Sequence, residues 1–202
     1  MKKTVKIKKE MGIMLKKMLK LALMFILAVP SISLAKVVED VNIPDTFMAG
    51  DQSLILNGAG TRTKFFIDAY IGSLYLVEKS KDGLSIVNSD KPMAINLHIT
   101  SSMVTSEKME TAFREGFEES TGGKMEAISS EIEQIINAFK EPIQENDKFQ
   151  MVYIPGIGVQ VNKNGAQKTV VPGLAFKKAL FGIWLGNEPA DDDLKEDMLD
   201  ED

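Results

Sequence analysis

Apolar and polar residues alternate along much of the first half of the chain, which is the pattern of strands with one buried face. Short extended pieces are predicted over residues 37–57, with Ser53–Asn57 the clearest. The small residues Gly58-Ala59-Gly60 predict a turn, after which Thr61–Val77 predicts one or two long strands rich in Phe, Ile, Tyr and Val. Met93–Ile99 alternates in the same way and predicts a further strand.

The spacing of apolar residues changes from two to three or four in the middle of the chain. Thr105 predicts a helix N-cap, and Glu107 follows in the first turn, where a carboxylate faces the positive end of the helix dipole. Gly122-Gly123 predicts the end of this helix. A second apolar stripe, Met125–Phe139, predicts another helix that stops before Pro142.

The last third of the chain returns to strands and then to helices. Lys148–Ile154 predicts a strand, and Val159–Val171 predicts a hairpin whose Asn164-Gly165 pair suits a tight turn. Leu174–Gly186 predicts a third helix, and Pro189–Met198 predicts a short fourth helix before an acidic tail. Blocks of strands and helices in this order predict an α+β fold with an antiparallel sheet and argue against a doubly wound α/β fold.

The N-terminus has the three parts of a secretory signal peptide. Residues 1–20 carry eight lysines and one glutamate, Leu21–Val29 is apolar, and Ser33 and Ala35 are small residues that follow Pro30. Nine apolar residues are too few to cross a bilayer as a helix. We therefore predict cleavage after Ala35 and a periplasmic location, with an uncleaved N-terminal anchor as the alternative.

Removal of the predicted signal peptide, residues 1–35, changes the charge of the protein. The net charge of the full chain is −5, and the remaining domain, residues 36–202, has 16 basic and 28 acidic residues, a net charge of −12. So acidic a domain is a poor candidate for binding nucleic acid or anionic lipid. The chain has no cysteine, which excludes disulfides and thiol chemistry. No nucleic-acid partner and no stable membrane insertion after cleavage are expected.

Several short motifs indicate no specific chemistry. The segment 58–63, GAGTRT, lacks the third glycine of a dinucleotide-binding loop and precedes a predicted strand, so a phosphate would find no helix N-terminus there. His98 is the only histidine and is more simply a structural or surface residue. The acidic run 191–193 lacks the spacing of a calcium loop and suits a helix N-terminus. Neither a cofactor nor a metal site is predicted.

Arg62 raises the main functional question, because it begins a long apolar segment. Residues two apart share one face of a strand. One predicted face is apolar or small, and the other is mixed and polar: Arg62, Lys64, Phe66, Asp68 and Tyr70. Two interpretations remain from spacing alone. Arg62 pairs with Asp68 or another acid in solvent, or Arg62 and Tyr70 together bind a carboxylate, the arginine through two hydrogen bonds and the tyrosine through a third.

Three segments in order resemble the chalcone isomerase-like family, and the resemblance is to its bacterial exported members. They are Leu56–Leu76 with its G-A-G-T-R stretch, Val104–Phe117 with its S-E-K helix start, and Val171–Lys195 with L-F-G-I-W-L-G-N-E-P. The resemblance spans about Phe47 to Leu194. It implies an open-faced β-sandwich in which helices cover one side of a large antiparallel sheet, with a ligand cleft between them. Family members are either isomerases that close the flavanone ring or fatty-acid-binding proteins.

The resemblance also implies roles for individual residues. Arg62 falls on the arginine that the family shares, and Tyr70 falls where the binding members have tyrosine and the plant isomerases threonine. Thr105 falls where the isomerases have their catalytic tyrosine, and Ala112 where they have an asparagine. The implied ligand-binding residues are Arg62, Tyr70 and Thr105, with no catalytic residue and no cofactor.

Three hypotheses for function follow. The first is a non-catalytic protein that binds a fatty acid or a similar amphipathic carboxylate. The second is an isomerase or lyase in which Arg62 polarises a carbonyl, although no general base is evident from the sequence. The third is a structural or partner-binding domain whose cleft is filled by its own side chains.

Overall fold

Seven antiparallel strands form one sheet at the centre of residues 35–201, the part of the chain that this computed structural model describes. Each strand pairs with the next one in the sequence, from β3 to β9. Two further strands, β1 and β2, form a separate hairpin. The strands are β1 (Lys36–Val38), β2 (Val41–Ile43), β3 (Thr46–Ala49), β4 (Gln52–Lys64), β5 (Ile67–Leu76), β6 (Met93–Ile99), β7 (Lys148–Ile154), β8 (Gly158–Lys163) and β9 (Ala166–Val171).

Five α-helices accompany the sheet in the described residues. They are α1 (Gly83–Asn88), α2 (Ser106–Thr121), α3 (Ser129–Ala138), which follows a single 3-10 turn at Glu126–Ile128, α4 (Leu174–Leu185) and α5 (Asp192–Leu199). The predicted ends of α2 are confirmed, since the Thr105 hydroxyl accepts a hydrogen bond from the Lys108 N–H and Gly122 is left-handed. The sequence did not predict α1, whose six residues are too few to show a helical period. None of these helices is long and apolar enough to span a membrane.

The helices cover one face of the sheet. Leu74, Ile95, Met151 and Val161 are neighbours across four consecutive strands, and all are buried in the larger core, which also contains the apolar sides of the helices. The adjacent row, Tyr75, Ala94 and Val152, points to the opposite face of the sheet and is buried in a smaller core. This arrangement confirms the α+β class and the open-faced β-sandwich that the resemblance implied. The predicted signal peptide lies outside the described residues apart from Ala35.

The small residues before Arg62 do not form the predicted turn. Gly58 and Gly60 lie inside β4, and Gly72 lies opposite Gly60 in β5. A Cβ atom on Gly58 would lie 2.2 Å from the backbone oxygen of Asp197, and one on Gly72 would lie 2.3 Å from the Met198 side chain. The missing side chains therefore allow α5 to pack directly on the two strands. Sequence reasoning interpreted as a turn what is a close contact between a helix and a sheet.

The long apolar segment is divided into two strands by a tight turn at Phe65-Phe66. Both residues have positive φ, 53° and 63°, and the flanking Lys64 and Ile67 pair directly. The sequence predicted that side chains alternate between two faces from Arg62 to Tyr70. This alternation is interrupted at the turn, so that prediction is wrong there. An irregularity in register follows at Arg62, which pairs with Tyr70.

Candidate functional site

A cleft of about 410 Å³ lies between the β4–β5 hairpin and the N-terminal half of α2. Its volume is within the usual range for small-ligand sites, roughly 300–1,000 Å³. The hairpin supplies one wall, which carries charged, aromatic and aliphatic side chains. The loop before α2 and one side of that helix supply the other wall. The lining residues are Arg62, Lys64, Phe65, Ile67, Ala69, Tyr70, Met103, Val104, Glu107, Lys108, Met109, Thr111, Ala112 and Glu115.

Arg62 lies half-buried on the hairpin wall with few polar partners. One terminal nitrogen donates a hydrogen bond to the Ala190 backbone oxygen at 3.4 Å. The guanidinium carbon lies 5.6 Å from the centre of the Tyr70 ring. The Nε atom is buried and has no hydrogen-bond partner within residues 35–201. A buried donor without an acceptor is costly, so the protein satisfies this guanidinium only in part.

Tyr70 is buried beside Arg62, and its hydroxyl oxygen accepts a hydrogen bond from the indole N–H of Trp184 at 2.9 Å. Burial raises the pKa of the Tyr70 phenol, and this effect outweighs the nearby Arg62 charge and the Trp184 hydrogen bond, both of which lower it. The phenol therefore keeps its proton at neutral pH. Because Trp184 donates to the oxygen, the O–H of Tyr70 remains available as a donor.

Thr105 is the third residue that the resemblance implied for ligand binding. It lies at the N-terminus of α2, between the lining residues Val104 and Glu107, but is not among the lining residues itself. Its hydroxyl accepts the Lys108 N–H at 3.3 Å, as an N-cap does. The structure thus brings Arg62 and Tyr70 together and places Thr105 at the edge of the same cleft, with its hydroxyl used by the helix.

Asp68 does not pair with Arg62. Its carboxylate accepts a hydrogen bond from the Thr63 hydroxyl at 2.7 Å, and the residue does not line the cleft. The register irregularity between Arg62 and Thr63 explains the difference, because it interrupts the regular alternation that placed Arg62 and Asp68 on one face. Of the two interpretations of Arg62, the first, a pair with Asp68 or another acid, therefore does not hold for Asp68.

Charged residues at the mouth of the cleft were missed by sequence reasoning. Lys64 comes from the hairpin, and Glu107, Lys108 and Glu115 come from α2. Hydrogen bonds from its own backbone N–H and from the Thr105 hydroxyl lower the pKa of the Glu107 carboxyl. The sequence placed Lys64 on a strand face and Glu107 in the first turn of a helix, and only the position of the hairpin beside that helix makes them part of one cleft.

Trp184 was also missed, because its place in an apolar helix predicts a core residue. It lies 114 residues from Tyr70 in the sequence, and only the packing of α4 under the sheet brings the two side chains together. The acidic run before α5 behaves as predicted, since the Asp191 carboxylate accepts the Leu194 N–H at 2.9 Å. Within residues 35–201 no group of three or more histidine or acidic side chains is placed to hold a metal ion.

Comparison with known proteins gives the class of this protein. A profile described as chalcone isomerase-like matches residues 35–200, and the chain belongs to that family. The structure is similar to the crystal structure of a fatty-acid binding protein from Arabidopsis thaliana, with a TM-score of 0.64. The two chains are 19% identical over 82% of this chain and 96% of the plant protein, a level at which the likeness shows the fold. No curated protein sequence matches significantly.

Proposed function

We propose that this protein is an exported, non-catalytic binding protein for a fatty acid or a similar amphipathic carboxylate. The head group would bind to Arg62 and Tyr70, and the chain would lie along the cleft between the β4–β5 hairpin and α2. The observation that carries this proposal is that Arg62 and Tyr70 lie together on the cleft wall, where the only backbone acceptor of the guanidinium within residues 35–201 is the Ala190 oxygen, at a long 3.4 Å.

The donors at the inner end of the cleft favour an anion over a neutral ligand. Arg62 offers guanidinium N–H groups, and Tyr70 offers a phenol whose pKa is raised by burial and which therefore stays a donor. A carboxylate accepts hydrogen bonds with both oxygens, so it suits two such donors. Each hydrogen bond to a charged group contributes about 1.5–3 kcal/mol.

Apolar side chains supply the remaining surface that a lipid needs. Ile67 and Ala69 line the hairpin wall, and Val104, Met109 and Ala112 line the opposite wall. Each buried methylene of a ligand chain contributes about 0.8 kcal/mol. A long chain with one carboxylate therefore matches both the polar end and the apolar walls of the cleft. The plant protein of the same fold, which is described as binding fatty acids, agrees with this ligand class.

The isomerase hypothesis has less support at the same residues. Ala112 lines the cleft where the isomerases have an asparagine, and it offers only a methyl group. Glu107 is within the lining, but its lowered pKa makes it a weak base. We expect no conversion of chalcones above the spontaneous rate, measured as stereoselective flavanone formation. Fast and stereoselective product would favour the isomerase.

Export remains part of the proposal, together with membership of the bacterial exported subgroup. It rests on the basic, apolar and small-residue segments of the first 35 residues. The protein recovered from the periplasm should begin at or near Lys36. Mass analysis that finds an intact N-terminus in the membrane fraction would contradict cleavage and favour the uncleaved anchor.

The direct test compares two ligands that differ only in the head group. A fluorescent long-chain fatty acid and its methyl ester have the same chain, but the ester lacks the negative charge. We expect the acid to bind at least tenfold more tightly, because only the carboxylate brings a negative charge and two equivalent acceptor oxygens to the Arg62 guanidinium. Equal affinity would overturn the proposal. If the acid binds more tightly, native mass spectrometry of protein purified from its own host would identify the natural ligand.

A further inference from the structure

The tip of the β4–β5 hairpin carries two phenylalanines that the protein leaves in solvent. Phe65 is 83% exposed and Phe66 is fully exposed, the highest values among the large hydrophobic residues that the structure describes. Single exposed apolar residues are ordinary, but an adjacent aromatic pair at a protruding turn is a candidate interaction site.

The turn itself does not need phenylalanine. The β8–β9 hairpin has the same two-residue length and also has positive φ at both positions, 51° at Asn164 and 80° at Gly165. Asn and Gly are the residues that such turns favour, and the Asn164 side chain also accepts a hydrogen bond from the Lys148 N–H. Phenylalanine at positive φ is strained and gives no such hydrogen bond. Folding alone therefore does not explain the residues at this tip.

The position of the tip connects it to the cleft. Lys64 and Phe65 line the cleft from the hairpin, and Met103, which is 51% exposed, lines it from the opposite wall together with Lys108. The mouth of the cleft thus has apolar side chains on both sides, each with a lysine close by. A flexible lysine can keep its charge in water or near a phosphate while its carbon chain covers an apolar surface.

We propose that this tip, defined as Phe65 and Phe66, docks into the surface of a lipid bilayer with zwitterionic head groups. Two phenylalanines bury about 150–250 Å² each, well below the roughly 800 Å² per partner of a stable protein interface. A bilayer needs no complementary surface, and aromatic rings with neighbouring lysines suit its interface. The net charge of −12 in residues 36–202 disfavours an anionic membrane.

The proposal that the tip binds a bilayer is argued from the hairpin alone. The reason for such binding, delivery of a lipid carboxylate to the cleft, rests on the proposed function. A tip inserted beside the mouth of the cleft would place that mouth against the bilayer. A lipid carboxylate could then enter the cleft without crossing water. The contact is shallow and reversible, and the hairpin itself does not cross the bilayer.

The first experiment places a reporter in the tip. Phe66→Trp is mixed with vesicles of phosphatidylcholine, with and without brominated acyl chains. We expect a blue shift of the emission and quenching by the brominated lipid. Trp184, the only native tryptophan, is buried, so the wild type gives a constant background. A blue shift that appears without lipid and grows with protein concentration would instead indicate that the tip binds a second copy of the protein. That result would overturn the assignment to a bilayer.

The second experiment replaces the tip with the residues of the other hairpin. Phe65→Asn/Phe66→Gly should raise the melting temperature and reduce vesicle flotation at least tenfold. Ile157→Asn is the matched control, since Ile157 is 51% exposed between β7 and β8, away from the cleft, and this change should leave flotation unaltered. Flotation that the double variant retains, or that the wild type never shows, would overturn the proposal.

The two proposals fail separately. Wild-type protein that binds the fluorescent fatty acid in lipid-free buffer but never binds vesicles contradicts only the docking. Protein that binds vesicles through the tip but does not distinguish the acid from its ester contradicts only the proposed function.

Discussion

Lys177 and Arg62 are both cations with aromatic neighbours, but they differ in their hydrogen-bond partners. Lys177 is completely buried, and its ammonium donates to the backbone oxygens of Ile86, Val87 and Ser89 at 2.8–2.9 Å. An ammonium has three donors, so every donor has an acceptor. These oxygens lie at the end of α1, where carbonyl groups lack partners within the helix.

Arg62 is only half-buried, and its partners are incomplete. One terminal nitrogen has a long hydrogen bond to Ala190, and the buried Nε has no partner within the described residues. Protein groups thus satisfy Lys177 fully and Arg62 only in part. A cation whose donors are all used stabilises the fold, whereas one with donors left over beside a cleft is placed for a ligand. The comparison predicts opposite results for the same substitution at the two positions.

Lys177→Met should have the largest effect on stability. Methionine fills a similar volume but removes the donor of the Val87 and Ser89 backbone oxygens, and each such group costs about 1–3 kcal/mol. The Ile86 oxygen still accepts from the N–H and the hydroxyl of Ser89. We expect the free energy of unfolding in urea, followed by circular dichroism, to fall by about 3 kcal/mol or more. Lys178→Met, at the next and less buried position, is the control and should change stability little. Equal losses in the two variants would refute a special role for Lys177.

Arg62→Met should leave stability nearly unchanged and weaken ligand binding. Loss of charge-assisted hydrogen bonds should reduce affinity for the fluorescent fatty acid by about 10- to 100-fold. Arg62→Lys should restore only part of it, because an ammonium cannot form two parallel hydrogen bonds with a carboxylate. A protein that unfolds on this substitution, or that binds as well as the wild type, would make Arg62 structural like Lys177.

The pH dependence of stability should separate Lys177 from exposed lysines. Burial, assisted by the positive charge of Lys178, lowers the pKa of the Lys177 ammonium from 10.5 to about 8. Between these values the unfolded state holds the proton and the folded state does not, so this group makes the folded state more stable as pH rises. From pH 8 to 9.5 the difference in unfolding free energy between wild type and Lys177→Met should grow by about 1.5 kcal/mol, because the folded-state group is still half protonated at pH 8. A constant difference would contradict the lowered pKa.

Tyr70→Phe should have the smallest effect on binding. It removes one hydrogen bond to the ligand carboxylate, worth about 1.5 kcal/mol at the low end for a charged acceptor, or roughly a tenfold loss of affinity. Tyr75→Phe is a matched control on the same strand, because its hydroxyl donates to Pro44 at 2.9 Å on the opposite face of the sheet. Tyr75→Phe should therefore leave the affinity for the fluorescent fatty acid unchanged. Equal losses in the two variants would mean that the Tyr70 hydroxyl does not contact the ligand.

The sequence by itself determined most of the elements and their order, apart from the short helix α1 and the turn between β4 and β5. Alternation predicted β6 and β7, Thr105 predicted the start of α2, and Asn164-Gly165 predicted the β8–β9 turn. These signals are local, since each depends on residues a few positions apart. The sequence also indicated Arg62 as unusual, because a guanidinium next to an apolar segment needs a partner.

Only the tertiary structure decided which residues meet. It placed the hairpin turn at Phe65-Phe66, where the turn residues gave no signal, and it used Gly58 and Gly72 for close contact with α5. It brought Trp184 to Tyr70 across 114 residues. Such contacts depend on strand register and on the layer of helices, which are set by packing over the whole domain. For the same reason Lys177 could not be recognised from its helix, since its three acceptors come from α1 and the residue after it.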